Sequence, residues 1–106
     1  MIFRSLLLRR AARQYARRLP GALLRGYGAG EFYTAPQIDA AVTKAGLPPR
    51  HSAIGYAAYL PEDAFRRVAP ADDYQTLRML FKRYVRRSAA WGFEPAPESA
   101  PPGIGP

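Results

Sequence analysis

From Leu8 onward, apolar residues recur every three or four positions. Leu8, Ala12, Tyr15 and Leu19 stack on one face, with Ala11 and Ala16 at its edges. That period predicts an amphipathic helix. Arg9, Arg10, Arg13 and Arg17 take the opposite face. The preceding Ile2, Phe3, Leu6 and Leu7 do not share the stripe, so the N-terminus is apolar nearly all round and is expected to be either buried against something or frayed. Pro20-Gly21 is expected to end or kink the helix, because proline lacks an amide hydrogen and its ring crowds the preceding turn. ALLRGY then adds a further turn, and Gly26, Gly28 and Gly30 mark a loop.

The stretch FYTAPQI opens a second helix. Thr34 suits the N-cap, and Gln37, three residues on, can bond back to the cap's amide. Tyr33 and Ile38 occupy the two positions of a hydrophobic staple. The helix runs through Ile38, Ala41, Val42 and Ala45 to Gly46, a natural left-handed cap, with Leu47 folding back on the last turn. Pro48-Pro49 forbids continuation. A third helix, RHSAIGYAAYL, places Ala53, Tyr56, Ala57 and Leu60 on one side, and a strand over IGYAAYL is its competitor because Gly55 weakens a helix. Pro61 begins a short helix with Glu62 and Asp63 at its positive end and Phe65 and Val68 as core contacts. The last helix starts near Asp72, with Gln75 in capping-box position. Its apolar stripe is Tyr74, Leu77, Leu80, Phe81, Tyr84 and Val85. Arg78, Lys82 and Arg86 form one i,i+4 row on the far face, and Arg83 with Arg87 forms another. Trp91 and Phe93 are expected to fold back as a clasp, while residues 94–106 are too rich in proline and glycine to build a core.

These elements predict an all-α fold, a small single-domain bundle of four to five short helices over residues 1–93, with a flexible Pro-rich tail over 94–106. The two long terminal helices would pack their apolar stripes on each other and on the middle ones.

Charge changes the picture more than composition does. The net charge of +8 is unevenly spread: residues 1–30 carry seven arginines and no acid, and residues 76–93 add five bases and no acid. Between them, residues 31–75 hold six acids against four bases. Two basic blocks flank a mildly acidic middle, which predicts attraction to polyanions at low salt. There is no cysteine, hence no disulfide, thiolate nucleophile or sulfur ligand for a metal. Arg4, Arg9 and Arg10 interrupt the apolar run at 6–8, which argues against a transmembrane helix and a secretory signal. The expected location is cytoplasmic, at most peripheral to a membrane.

The succession FYTAPQI, AGL, IGYAAYL, PEDAF and DYQTLR resembles a family of short bacterial proteins described only as a domain of unknown function. The resemblance covers roughly residues 5–85. It implies a standalone bacterial cytosolic protein and brings no activity or site with it.

Residues able to carry chemistry are few. His51, the single histidine, would need Ser52 or a distant acid as partner, and neighbours on a helix point about 100° apart. Glu62-Asp63 and Asp72-Asp73 sit in first helical turns, where capping and the helix dipole account for them. GYGAG at 26–30 follows a helix and lacks the GK[ST] ending of a phosphate-binding loop. AAVTKAGLPPRHSAIGYAAYL has a helix-turn-helix outline, with Arg50, His51 and Ser52 at the head of the second helix, but Pro48-Pro49 lengthens the turn. Tyr27, Tyr33 and Tyr59 are the tyrosines open to base stacking, without the spacing of an RNA-recognition motif. No catalytic, cofactor-binding or metal-ligating set emerges.

What remains are the arginine rows. Like charges at i,i+4 cost a few tenths of a kcal/mol per pair, and Arg9–Arg13–Arg17 and Arg78–Lys82–Arg86 accept that cost with no interleaved acid. The expected function is a non-enzymatic binding or adaptor protein using Arg9, Arg10, Arg13, Arg17, Arg78, Lys82 and Arg86. Its partner would be nucleic-acid phosphate, an anionic membrane surface with Phe3 and Leu7 inserted, or a protein covering the apolar N-terminus. A helix-turn-helix DNA-binding protein and a small enzyme using His51 are the alternatives.

Overall fold

A computed structural model of the chain describes the backbone of residues 2–90 and the side chains of residues 6–86. The expected clasp of Trp91 and Phe93 and the tail lie outside the described residues. Among the described residues five α-helices follow in order: α1 (Ile2–Tyr27), α2 (Ala35–Lys44), α3 (Ser52–Tyr59), α4 (Glu62–Val68) and α5 (Tyr74–Ala90), with a 3-10 turn at Pro49–His51 before α3. The fold is all-α, and no strand occurs among the described residues. IGYAAYL is helical.

The first difference from the periodicity lies in α1, which passes through Pro20 without ending. Beyond the proline, Ala22 and Leu23 are 6% and 1% exposed. Burying such side chains contributes about 1.5–3 kcal/mol for a leucine, comparable with the ~3 kcal/mol helix penalty of a proline. Tertiary burial therefore carries the helix on to Tyr27. It ends where Gly28 adopts φ 82° and donates its N–H to the Leu24 carbonyl at 3.0 Å.

Both signals read at the ends of α2 are realised. Thr34 Oγ1 accepts from the Gln37 amide at 3.2 Å, and Gln37 Oε1 accepts from the Thr34 amide at 3.0 Å. At the far end Gly46 has φ 70°, and Leu47 N–H donates to Val42 O while Gly46 N–H donates to Thr43 O. That pair of bonds is a Schellman motif, and it turns Leu47 into the core. At α5 the cap sits one residue later than expected. Asp73, rather than Asp72, accepts from the amide and hydroxyl of Thr76 at 3.4 and 2.7 Å.

Helix α3 is buried nearly all round, with Ile54, Gly55, Ala57 and Ala58 inside and Ala53 and Tyr56 only partly covered. The single apolar face expected for it is corrected because α3 packs against α1, α2, α4 and α5. Gly55 makes this convergence possible. A Cβ there would stand 3.0 Å from Leu19 Cδ2 on α1 and 3.2 Å from Ile38 Cγ2 on α2. On α4, Phe65 is buried as expected, but Val68 is 44% exposed and is not a core contact.

The terminal helices share the most extensive helix–helix contact of the fold. They run antiparallel. Arg13, in the first half of α1, lies against Tyr84 in the second half of α5, and Phe32, just past the end of α1, lies against Arg78 near the start of α5.

Candidate functional site

An antiparallel pair sets the arginine-dense first half of α1 beside the basic second half of α5. Arg9, Arg10, Arg13 and Arg17 are all exposed. Arg13 leans across the seam, its guanidinium carbon 5.4 Å from the centroid of the Tyr84 ring. Successive helical residues turn by about 100°, which places Arg10, Arg13 and Arg17 on the solvent side of α1 and Arg9 on its α5 flank.

On α5 the expected row Arg78–Lys82–Arg86 is divided. Arg78 is half-buried, and its Nη1 donates to the carbonyls of Ala57 and Ala58 at 3.0 and 3.1 Å and to the Tyr74 hydroxyl at 3.2 Å. The guanidinium also lies over the rings of Phe32 and Tyr74. These two carbonyls are among the four that a helix leaves open at its C-terminus. Leu60 N–H takes the Tyr56 carbonyl and Tyr33 N–H takes that of Tyr59, so Arg78 completes the cap of α3. A positive charge there also suits the helix dipole. Lys82 and Arg86 are exposed.

Because Arg78 and Phe81 face α3 while Tyr84 faces α1, the helical turn assigns flanks to the remaining bases. Lys82 turns toward the α3 side and Arg86 points straight out. Arg83, exposed, is the described base of α5 nearest the α1 side. Sequence reasoning saw Arg83 as part of a second row but left it out of the binding set. The signal that would have found it is its offset from Tyr84, which needed the knowledge that α1 lies on that flank.

Among the described residues no carboxylate pairs with any base of α1 or α5. The two ion pairs, Arg66–Glu62 at 2.6 Å and Arg67–Asp63 at 3.2 Å, both belong to α4. Asp73 caps α5, and Asp39 accepts from the Tyr56 hydroxyl. Glu62, Asp63 and Asp73 are thus engaged at their own helices, as capping and intrahelical pairing predict, and Asp39 of α2 is engaged by Tyr56 of α3.

The other candidates find structural places. Ser52 Oγ donates to the Pro49 carbonyl at 2.7 Å, so its proton is directed at backbone rather than at His51. His51 sits on the 3-10 turn, where burial and then the neighbouring Arg50 hold its imidazole below the usual histidine range. No group of three histidine, aspartate or glutamate side chains able to hold a metal ion occurs among the described residues. GYGAG lies at the C-terminal end of α1, the negative end of its dipole and the wrong one for a phosphate.

Of the tyrosines, Tyr33 and Tyr59 pack edge to face at 5.5 Å, and Tyr59 meets Phe81 at 5.6 Å. Burial, with the Tyr33 hydroxyl adding to it, pushes the Tyr59 phenol up to about 12. Tyr27 stays 44% exposed, next to Tyr33. Tyr15 is fully buried and donates its hydroxyl to the Pro48 carbonyl at 2.6 Å, tying α1 to the α2–α3 connection.

A groove of about 480 Å³ is lined, among the described residues, by Gln75, Arg78, Met79, Lys82, Arg83 and Arg86. All of these belong to α5, and Gln75, Met79, Lys82, Arg83 and Arg86 are exposed along it. No described helix is long and apolar enough to cross a membrane. No match to the chain is found among the curated proteins or the solved structures. A family model does match, over residues 3–87, the span that contains the caps of α2, the buried α3 and both basic helices. The chain belongs to that family, the family of unknown function DUF6559.

Proposed function

We propose that the protein is a non-enzymatic binding module whose basic α1–α5 face engages an anionic, phosphate-bearing partner. One observation carries this reading: antiparallel packing brings two acid-free basic stretches together with no described carboxylate set against them. Side-by-side like charges raise the energy of the folded state, and a polyanion relieves that repulsion while releasing its own counterions. The face comprises Arg9, Arg10, Arg13 and Arg17 of α1 with Arg83 and Arg86 of α5, and Lys82 lies at its margin. Arg78 contributes through the fold, as the cap of α3. The location that goes with this function is a bacterial cytosol, with at most peripheral attachment to a membrane.

Two other readings have less support. A recognition helix needs a free side to enter a groove, and α3, the helix in that position, is enclosed by four others. A hydrolytic role for His51 needs an oriented nucleophile, and the adjacent Ser52 is bonded elsewhere.

The test is binding of the full chain to a duplex and to anionic vesicles across a salt series. Affinity for at least one of them should fall steeply with salt. Reversal of Arg10, Arg13 and Arg83 to Glu should weaken it at least tenfold, whereas Arg50→Glu, on the 3-10 turn, should change it little. Equal loss from the two variants, or no binding at low salt, rejects the basic face.

A further inference from the structure

The basic face is not purely polar. Leu6 and Leu24 on α1 are each 56% exposed, and Met79 on α5 is 67% exposed. At 3.6 residues per turn, positions 6 and 24 fall on one line along α1, about 27 Å apart at 1.5 Å per residue. Arg10, Arg13 and Arg17 lie between them along that line. Met79 stands on the outer side of α5, one turn before Arg83. Apolar tips thus rise from the basic face near both ends of α1 and from the neighbouring helix.

The geometry points to the surface of an anionic bilayer as the partner of this face, with α1 lying in the membrane plane and Leu6, Leu24 and Met79 inserted at the headgroup level. The inference rests on the basic face proposed above and names what it meets. Charge complementarity supplies the attraction, since each Lys or Arg close to an anionic leaflet strengthens partitioning about fivefold. The apolar tips decide between sources of phosphate. In a headgroup layer, exposed leucine and methionine reach the acyl boundary while arginine stems lie along the interface with their guanidinium groups on phosphates. Against a duplex the same side chains would face hydrated phosphodiesters and gain nothing. Leu7, 46% exposed, is about 100° round the helix from Leu6 and does not share the line. Phe3, expected to insert with it, has its side chain outside the described residues.

The experiment uses the full chain with vesicles of equal phosphatidylglycerol and phosphatidylcholine, vesicles of phosphatidylcholine alone, and a 25-base-pair duplex (about 85 Å long) as competing polyanion. Co-sedimentation with the anionic vesicles and not the neutral ones is expected at low salt. The triple substitution Leu6→Ser, Leu24→Ser and Met79→Ser should reduce anionic-vesicle partitioning at least tenfold. Circular dichroism and any duplex affinity should stay unchanged, because these side chains are more than half exposed. Duplex binding without vesicle binding overturns the inference and leaves the basic-face reading standing. Vesicle binding that the triple substitution does not weaken also overturns it. Binding to neither partner rejects both.

Discussion

Arg78 and Lys82 are one helical turn apart, both are basic, and the fold gives them different work. Arg78 reaches back to the carbonyls of Ala57 and Ala58, whereas Lys82 is exposed. Removing Arg78 uncovers the end of α3, although water can reach part of that site. Arg78→Ala should therefore cost about 1–2 kcal/mol of folding stability. Lys82→Ala should stay within about 0.5 kcal/mol. Guanidinium denaturation of the two variants checks this, and equal midpoints would mean that the cap contributes nothing. No residue pattern distinguished the two positions beforehand. Both lie beyond the apolar stripe of α5, and the difference arises because α3 ends beside one of them.

At the scale of elements, the caps were the most legible part of the chain. Thr34, Gln37 and Gly46 act within a few residues of themselves, so their bonds follow from local sequence wherever α2 docks. Pro20 shows the opposite case. Its effect on α1 depends on whether the residues beyond it find burial, and Ala22 and Leu23 do. The proline still leaves the Ala16 carbonyl without its intrahelical donor. Pro20→Ala should accordingly raise stability by about 1–3 kcal/mol, read as a higher melting temperature. A fall would mean that α1 needs a proline-induced bend to reach the core. The single-faced reading of α3 failed for a related reason: a helix covered on several sides has no polar face to give it a period.

For the molecule as a whole, the relevant quantities are summed charge and the titration of packed aromatic groups. Tyr59 and Tyr56 both have phenols pushed up to about 12, in each case chiefly by burial. Asp39 beside Tyr56 adds to the effect there. The folded state thus holds these protons more tightly than the unfolded chain, whose phenols titrate near 10. Their contribution is fully present below pH 10 and is lost as pH rises from 10 through 12. For Tyr59 the loss amounts to about 2 kcal/mol at pH 12, and Tyr56, more open to solvent, contributes in the same direction. Urea midpoints between pH 9 and 12 test this. A flat profile would place Tyr59 in a far wetter setting than its contacts with Tyr33 and Phe81 provide.

Short-ranged features were readable in one dimension: the all-α class, the caps of α2, the apolar stripes of α1 and α5, and the existence of two acid-free basic blocks. Hydrogen bonds across three or four residues and the helical period are local properties, so one chain suffices to read them. Tertiary structure alone decided which flank of each helix meets which neighbour. That settled the buried surroundings of α3, the passage of α1 through Pro20, the separation of Arg78 from its row and the position of Arg83 on the α1 side. Such outcomes depend on contacts between residues far apart in the chain, for which the sequence carries no periodic signal.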